Sequence, residues 1–293
     1  MNQKNCTWWR NNPINLLHTR QFLREKLAKT GCDTPGNTSL TLLENTLNQP
    51  KSWILINDNY QLSTHEFNSL QTKLETLLQG VPLPYVLGHW DFYGRTFKVT
   101  PDVLIPRPET ELIIERAVHH IKNLAQPCIV DVGTGSGAIA VSLAAEIPRA
   151  IVLGVDLSMA ALKIAMLNAH RLCPSRVNFV QSDLLKPFSM KFDLICANLP
   201  YIPRHTLATL SVSRWEPNLA LDGGETGLEV INSLLSQART RLSPSGVILL
   251  ETEASLGAKT LSAAQTFFSN SQQRLIKDLA GHDRLVEIHL THQ

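Results

Sequence analysis

The feature that most restricts the fold is a regular alternation of short apolar runs and helical segments after Gln126. Predicted strands cover residues 128–132, 151–155, 177–180, 192–197 and 247–250, and predicted helices cover 138–146, 159–171 and 228–242. Continuous apolar strands that alternate with helices indicate a mainly parallel sheet covered on both faces. Because crossovers are right-handed, we expect a doubly wound α/β sheet that binds ligands at the carboxyl ends of its strands.

The first 80 residues carry only helical signals. Leucines at helical spacing indicate two helices before Pro50. Ser63, with Glu66 three residues later, forms a capping box that opens a third helix, which Gly80 closes. Residues 1–80 are therefore expected to form a small helical bundle, either as a packing cap or as a module that recognises a partner protein. Trp8 and Trp9 fit either role.

Residues 81–108 differ from the bundle in sequence pattern, since prolines interrupt them, and they are expected to link the bundle to the sheet. The segment WDFYGRTFKV predicts a hairpin of two short strands around Tyr93-Gly94-Arg95. Pro108 and Glu109 then suit the first turn of a helix, where a missing N–H and a negative charge are favourable. The second domain is expected to span residues 109–293.

The composition is that of a soluble globular protein, with 43% hydrophobic and 18% charged residues. The net charge of +2 gives no support for a polyanion-binding surface, so no direct contact with nucleic acid is expected. The sequence has no apolar run near 18 residues, and its start has no apolar signal-peptide core. We expect a cytoplasmic protein that does not enter a membrane.

Neither a metal site nor a disulfide is expected. The five cysteines are far apart and form no C-x-x-C pair, which fits a reducing compartment; they are Cys6, Cys32, Cys128, Cys173 and Cys196. His119 and His120 fall on a predicted helix and are expected to be surface residues.

The first strand of the alternation ends in the glycine-rich stretch DVGTGSGAIA. Alternating Gly133, Gly135 and Gly137 let the backbone turn sharply and approach a ligand. The spacing differs from the dinucleotide fingerprint, because Ala138 stands after the third glycine and that glycine comes too early. A phosphate-binding P-loop is excluded by the lack of a G-K-[ST] ending.

Acidic residues follow the next two strands. Asp156 ends the second strand, where two carboxylate oxygens can accept from both hydroxyls of a ribose. Asp183, followed by Leu184, comes after the third strand and could accept from an adenine amino group. Together with the glycine-rich loop, these acids favour an adenosine-containing ligand, and S-adenosylmethionine rather than NAD.

The fourth strand ends in Asn198-Leu199-Pro200-Tyr201. Methyl transfer from a sulfonium needs a nitrogen held in line, about 3 Å from the methyl carbon. The Asn198 side-chain oxygen and the Leu199 carbonyl can accept the two N–H groups of a planar amide or amine and stabilise its developing charge. Pro200 biases Leu199 to an extended conformation, and Tyr201 offers a flat face to the acceptor.

The chain resembles the release factor glutamine N5-methyltransferases, which methylate the glutamine of the Gly-Gly-Gln loop of class 1 peptide chain release factors. The matching segments are PLPYVLGHWDFYGRTFKV, VLIPRPETE, DVGTGSGAIA, NLPYIP, WEPNLALDGGETGL and KDLAGHDR. The resemblance implies a seven-stranded class I S-adenosylmethionine-dependent methyltransferase domain, preceded by a small N-terminal helical bundle and a hairpin. We expect a monomer with release factors as its partners.

The resemblance also implies roles for individual residues. The methionine and ribose of S-adenosylmethionine would be lined by Gly133, Thr134, Gly135, Ser136 and Gly137. Asp156 would bind the ribose hydroxyls, and Asp183 and Leu184 would lie by the adenine. The substrate glutamine would be held by Asn198, Leu199, Pro200 and Tyr201, of which Asn198 would also touch the cofactor.

Three positions depart from the family pattern. Leu199 stands where the family usually has proline, Leu184 where an aromatic residue is frequent, and Glu251-Thr252-Glu253 where the family has Glu-Ile-Gly. Asn-Leu-Pro-Tyr is the form found in ribosomal-RNA adenine N6-methyltransferases, which are the alternative. That alternative would call for a basic surface and leaves the PRPETE segment unexplained. A non-catalytic partner-binding protein that kept the fold is a second alternative.

Overall fold

The computed structural model describes residues 15–290, so Cys6, Trp8 and Trp9 lie outside the described residues. A division after Gly88 gives two compact units. The expected boundaries after residues 80 and 108 stay predictions. Across residues 15–290, no helix combines the length and the apolar character needed to cross a bilayer.

The first unit is built from helices around a leucine-rich core. Its helices are α1 (Leu16–Ala28), α2 (Pro35–Leu47), α3 (Lys51–Ile56), α4 (Thr64–Leu78) and α5 (Leu83–Leu87). The capping box is present, because Ser63 N donates to Glu66 Oε2 over 2.7 Å and Glu66 N donates to Ser63 Oγ over 3.3 Å. Buried side chains from four helices fill the core, among them Leu16, Leu23, Leu42, Leu43, Ile54 and Leu70.

The second unit begins with the predicted hairpin, formed by β1 (His89–Phe92) and β2 (Arg95–Lys98). Tyr93 and Gly94 both have positive φ angles, 47° and 68°, as a type I′ turn requires. Tyr93 N donates to Glu111 Oε1 over 2.7 Å, which ties the turn to the next helix. That helix, α6 (Glu111–Ile121), follows a 3₁₀ turn at Pro108–Thr110.

A seven-stranded sheet forms the centre of the second unit. Its strands are β3 (Cys128–Val132), β4 (Ile151–Asp156), β5 (Val177–Gln181), β6 (Phe192–Ala197), β7 (Leu242–Glu251), β8 (Ser271–Lys277) and β9 (Asp283–Leu290). Their order is β5-β4-β3-β6-β7-β9-β8. The first five are parallel, and β9 runs antiparallel between β7 and β8. The mainly parallel α/β sheet is confirmed.

Helices cover both faces of this sheet. Besides α6, they are α7 (Ala138–Glu146), α8 (Met159–Leu172), α10 (Glu229–Ala238) and α11 (Gly257–Phe267), while the short α9 (Arg204–Leu207) lies in the connection after β6. Neighbouring residues of β3 point to opposite faces, so Ile129 joins one buried cluster with α6 and α7 while Val130 joins another with α10 and α11. The strand order reverses at β3, which makes the carboxyl ends of β3, β4 and β6 the expected ligand crevice.

The structure corrects the secondary structure that was predicted for residues 239–246. The predicted helix to residue 242 was wrong, because α10 ends at Ala238 and β7 begins at Leu242. Leu242 pairs with Phe192, but Val247 pairs with Leu194, so the residues between them form a bulge. The expected strand at 247–250 is therefore only the second part of β7.

Candidate active site

A cavity of about 270 Å³ lies at the carboxyl ends of the parallel strands. The loops after four strands contribute to it, and the lining includes Gly133, Thr134, Gly135, Ser136, Asp156, Asp183, Leu184, Asn198, Leu199 and Pro200. The structure thus brings together all the residues expected to bind a cofactor except Gly137.

The glycine-rich loop closes onto the end of β4. Gly133 and Gly135 have φ angles of +74° and +55°, which side chains rarely adopt. The N–H groups of Gly133 and Thr134 both donate to Val155 O over 2.9 Å. A Cβ on Gly135 would meet only Gly133 O, at 4.0 Å, so the backbone there is open to a ligand.

Gly137 has a packing role instead. It is the N-cap of α7 with a φ of +81°, and it does not line the cavity. A Cβ there would lie 3.2 Å from the Cβ and 3.3 Å from the Cα of Ala165 in α8. The glycine therefore allows the start of α7 to approach α8 closely.

Two backbone N–H groups orient the carboxylate of Asp156. Gly135 N donates to Oδ2 over 2.9 Å, and Ser158 N donates to Oδ1 over 2.8 Å. Burial raises the pKa of Asp156, and these backbone hydrogen bonds oppose that rise. Both oxygens keep further lone pairs for a ligand in the cavity.

Asp183 and Leu184 form the wall after β5. The Asp183 carboxylate pairs with Lys186, and half of its side chain is exposed. Leu184 has a φ of +54°, and its carbonyl accepts from Ser182 Oγ over 2.6 Å. The two residues meet at the cavity, but the present partner of Asp183 is a surface lysine.

Asp131 is a functional candidate that sequence reasoning missed. Its side chain is fully buried at the base of the glycine-rich loop, where Oδ2 accepts from Thr134 Oγ1 over 2.6 Å and from Ala140 N over 3.1 Å. Its Oδ1 has no hydrogen-bond partner in the described part of the chain. Burial raises the pKa of Asp131 to about 7, and the nearby Asp156 adds to the rise. The signal in the sequence is an acid inside the apolar run CIVDV.

The residues after β6 lie in three different environments. Asn198 lines the main cavity and donates from Nδ2 to Thr110 Oγ1 over 3.1 Å. The Leu199 side chain is only 3% exposed and joins the core. Tyr201 lines a second cavity of about 100 Å³, which shares Asn198 and Pro200 with the first. Burial raises the pKa of Tyr201 to about 12, so its hydroxyl is neutral at physiological pH.

An ion pair holds one wall of the cavity in place. Glu216 is buried and accepts from the Arg107 guanidinium and from Ile105 N, the latter over 3.2 Å. Arg107 lines both cavities, and Pro217 and Ala220 line the main one. The pair therefore connects the PRPETE segment to the WEPNLALDGG segment.

The prediction that His120 is a surface residue was wrong. His120 Nε2 lies 2.9 Å from Glu287 Oε2, with His289 Nε2 3.4 Å from Glu287 Oε1. Arg116 donates to the same Oε2 from Nε over 2.9 Å and lies 2.8 Å from it with a second nitrogen. Burial raises the pKa of Glu287, but hydrogen bonds from His120 and Arg116 outweigh it and lower that pKa to about 2. Arg116 supplies a positive charge that pairs with the buried carboxylate.

Comparison with known proteins identifies the family. The Methyltransferase small domain model matches residues 110–213, and the PrmC N-terminal domain model matches residues 18–88. Over 271 residues the chain is 37% identical to the release factor glutamine methyltransferase of Moorella thermoacetica, covering 90% of this chain and 96% of that protein. Over 270 residues it is 36% identical to the enzyme of the same name from Bordetella pertussis, covering 90% and 97%.

A solved structure agrees on the fold. A methyltransferase from Pyrococcus furiosus superposes with a TM-score of 0.51 at 20% identity, covering 69% of this chain and 91% of that one. The names of the sequence relatives do not favour the ribosomal-RNA alternative. The chain belongs to the release factor glutamine methyltransferase family and is a methyltransferase.

Proposed function

We propose that this chain transfers the methyl group of S-adenosylmethionine to the side-chain amide nitrogen of the glutamine in the Gly-Gly-Gln loop of class 1 peptide chain release factors. The names of its relatives support the substrate. The observation that carries the proposal is the position of Asn198, which lines the same cavity as the glycine-rich loop and Asp156.

The residues of the main cavity fit this cofactor. The open backbone at Gly135 would allow close approach of the methionine and ribose portions, beside Gly133, Thr134 and Ser136. The fixed oxygens of Asp156 match two neighbouring ribose hydroxyls. Leu184 would offer an apolar contact to adenine, and Asp183 would accept from its amino group. When bound, S-adenosylmethionine supplies a methyl group on a positively charged sulfur.

The acceptor nitrogen would be held by Asn198 and Leu199. An amide nitrogen is a poor nucleophile because its lone pair is delocalised, so orientation and electrostatic stabilisation must lower the barrier. Asn198 Nδ2 donates to Thr110, which leaves Oδ1 to accept from the glutamine NH₂. The Leu199 carbonyl would accept the second N–H. Since the Leu199 side chain belongs to the core, leucine can replace proline without losing this backbone acceptor.

The neighbouring cavity would receive the rest of the acceptor group. Tyr201 and Pro200 line this cavity. The Tyr201 hydroxyl is uncharged at physiological pH, and its ring would offer a flat contact surface to the acceptor group. Recognition of the release factor by the helical unit is part of the same proposal. Because the proposed substrate acts in translation, we expect the enzyme to work in the cytoplasm, as a monomer and without binding nucleic acid directly.

The test is mass spectrometry of a release factor after incubation with enzyme and S-adenosylmethionine. The tryptic peptide that contains Gly-Gly-Gln should gain one methyl group, and a release factor with alanine in place of that glutamine should gain none. A parallel incubation uses radiolabelled cofactor with undermethylated ribosomal RNA. Label that appears on RNA alone, or an unmodified glutamine peptide, would overturn the proposal.

A further inference from the structure

The hydroxyl of Thr110 is the buried partner of the Asn198 carboxamide. Thr110 is 4% exposed and ends the 3₁₀ turn before α6. Its Oγ1 accepts from Asn198 Nδ2 over 3.1 Å. A threonine hydroxyl also carries one hydrogen to donate, so a buried acceptor is expected nearby.

Glu251 is that acceptor. It ends β7, which pairs with β6 so that Leu250 is opposite Ala197, and Glu251 therefore follows in register with Asn198. Glu251 is 4% exposed, and a side-chain hydrogen bond from Thr110 acts on its carboxyl group. Its Oε2 has no hydrogen-bond partner within residues 15–290. A buried carboxyl with so few hydrogen-bond partners lowers the stability of the fold, and this cost points to a role in the site.

The direction of this chain of hydrogen bonds determines which end of the carboxamide faces the cavity. When Glu251 is ionised it can only accept, so Thr110 donates to it and must accept from Asn198 Nδ2. When Glu251 is protonated it can donate to Thr110, whose hydroxyl can then donate to Asn198 Oδ1. In that state the carboxamide is reversed and presents NH₂ instead of oxygen.

We propose that Thr110 and Glu251 are positioning residues, and that ionised Glu251 selects the orientation in which Asn198 Oδ1 faces the acceptor nitrogen. This inference rests on the proposed function of Asn198. It adds the PRPETE segment to the machinery of the site, since Thr110 is the threonine of that segment.

The surroundings of Glu251 place its titration in the physiological range. Burial raises its pKa to about 7, the hydrogen bond from Thr110 lowers it, Glu109 raises it, and Arg284 and Arg107 lower it. Tyr201, the other titratable group that interacts with Glu251, stays neutral because its pKa is about 12. Turnover should therefore rise with pH through about 7.

The first experiment removes the hydroxyl of Thr110. Thr110→Val should lower kcat about tenfold with little change in cofactor affinity, because the carboxamide can then rotate. Thr110→Ser, which keeps the hydroxyl, should recover turnover to within about threefold of the wild type. Thr266→Val, on the exposed face of α11, controls for loss of a threonine hydroxyl elsewhere. Wild-type turnover in Thr110→Val would overturn the inference.

The second experiment follows turnover against pH. In Glu251→Gln the glutamine NH₂ can donate to Thr110 at every pH, so kcat should be low and the rise near pH 7 should disappear. Asp131 also has a pKa of about 7. A rise that persists unchanged in a folded Glu251→Gln enzyme would belong to Asp131 and would overturn the role of Glu251. Thermal unfolding of both variants establishes that they are folded.

The third experiment does not depend on activity. In enzyme with ¹⁵N-labelled asparagine, the side-chain NH₂ signals of Asn198 are identified by their loss in Asn198→Ala. These signals should shift with a midpoint near pH 7 in the wild type and stay constant in Glu251→Gln. Constant signals in the wild type would overturn the inference even if release factors are methylated. A shift with no methylation of release factors would overturn the proposed function alone.

Discussion

The side chain of Leu199 packs against the glycine-rich loop at Gly133, which sets a limit on the size of the residue at 133. The side chain is buried in the core beside Gly133, where a Cβ would lie 3.0 Å from Leu199 Cδ2. A bulkier residue at 133 would therefore press on this side chain. Leu199 departs from the family proline, and its side chain packs in the buried cluster beneath the site.

Asn198 gives the sharpest prediction for a single residue. Asn198→Ala should leave cofactor affinity nearly intact but lower turnover at least about 10²-fold, because it removes an acceptor that acts in the transition state. Single-turnover rates and calorimetric titration with S-adenosylmethionine separate the two quantities. Asn178→Ala, at an exposed position of β5, is the matched control. Unchanged turnover would remove Asn198 from the mechanism.

Single residues were predictable where a motif marked them. Motifs at the ends of the strands led to the predictions for Gly133, Asp156 and Asn198, and these three residues line one cavity. Asp131 was missed because it is a lone acid within an apolar strand, and Glu251 was missed because its partner Thr110 lies far away in the sequence. The contact between Thr110 and Asn198, for example, joins residues 88 positions apart.

Among the elements, the packing of α7 against α8 depends on Gly137. Gly137→Ala should lower the free energy of unfolding by about 2–4 kcal/mol, because it combines a left-handed backbone with a clash against Ala165. Gly281→Ala is the matched control, since Gly281 has a φ of +84° but no atom within 4 Å of an added Cβ. Gly281→Ala should lower the free energy of unfolding by only about 1–2 kcal/mol. Urea titration of both variants measures the two values. If both variants lost the same free energy of unfolding, the close contact between α7 and α8 would not contribute to the effect of Gly137→Ala.

Two parts of the sheet that escaped prediction, β8 and the bulge of β7, lack a strong apolar pattern. The β8 sequence, SQQRLIK, is largely polar and partly exposed at the edge of the sheet. The bulge in β7 contains Pro244 and Gly246, which resemble a loop because neither favours a regular strand. The buried parallel strands were predictable because both of their faces are apolar.

For the whole molecule, acid stability depends on Glu287. Its pKa is lowered from 4.5 to about 2, so its stabilising contribution is present above the unfolded value and is lost as the pH falls through about 4.5 to 2. At pH 7, Glu287→Gln should cost about 3 kcal/mol, since each pKa unit corresponds to about 1.4 kcal/mol. Urea unfolding of both proteins between pH 7 and pH 3 measures the difference, which should shrink on acidification.

A surface ion pair provides the control for this acid test. Glu225 pairs with Arg204 over 2.9 Å, but the two side chains are 74% and 60% exposed. Glu225→Gln should therefore change the unfolding free energy by less than about 1 kcal/mol at either pH. If the difference in unfolding free energy between the wild type and Glu287→Gln did not vary with pH, ionisation of Glu287 would not stabilise the fold.

The order of strands at one side of the sheet has a consequence for how the protein opens. Among the strands that residues 15–290 form, β8 is hydrogen-bonded to the sheet only through β9, whereas β9 has a partner on each side. β8 can therefore detach while β9 stays in place, but β9 cannot leave β7 without carrying β8 away from the sheet. Local opening at this border should be sequential, with amides of β8 exchanging with solvent deuterium before those that β9 shares with β7.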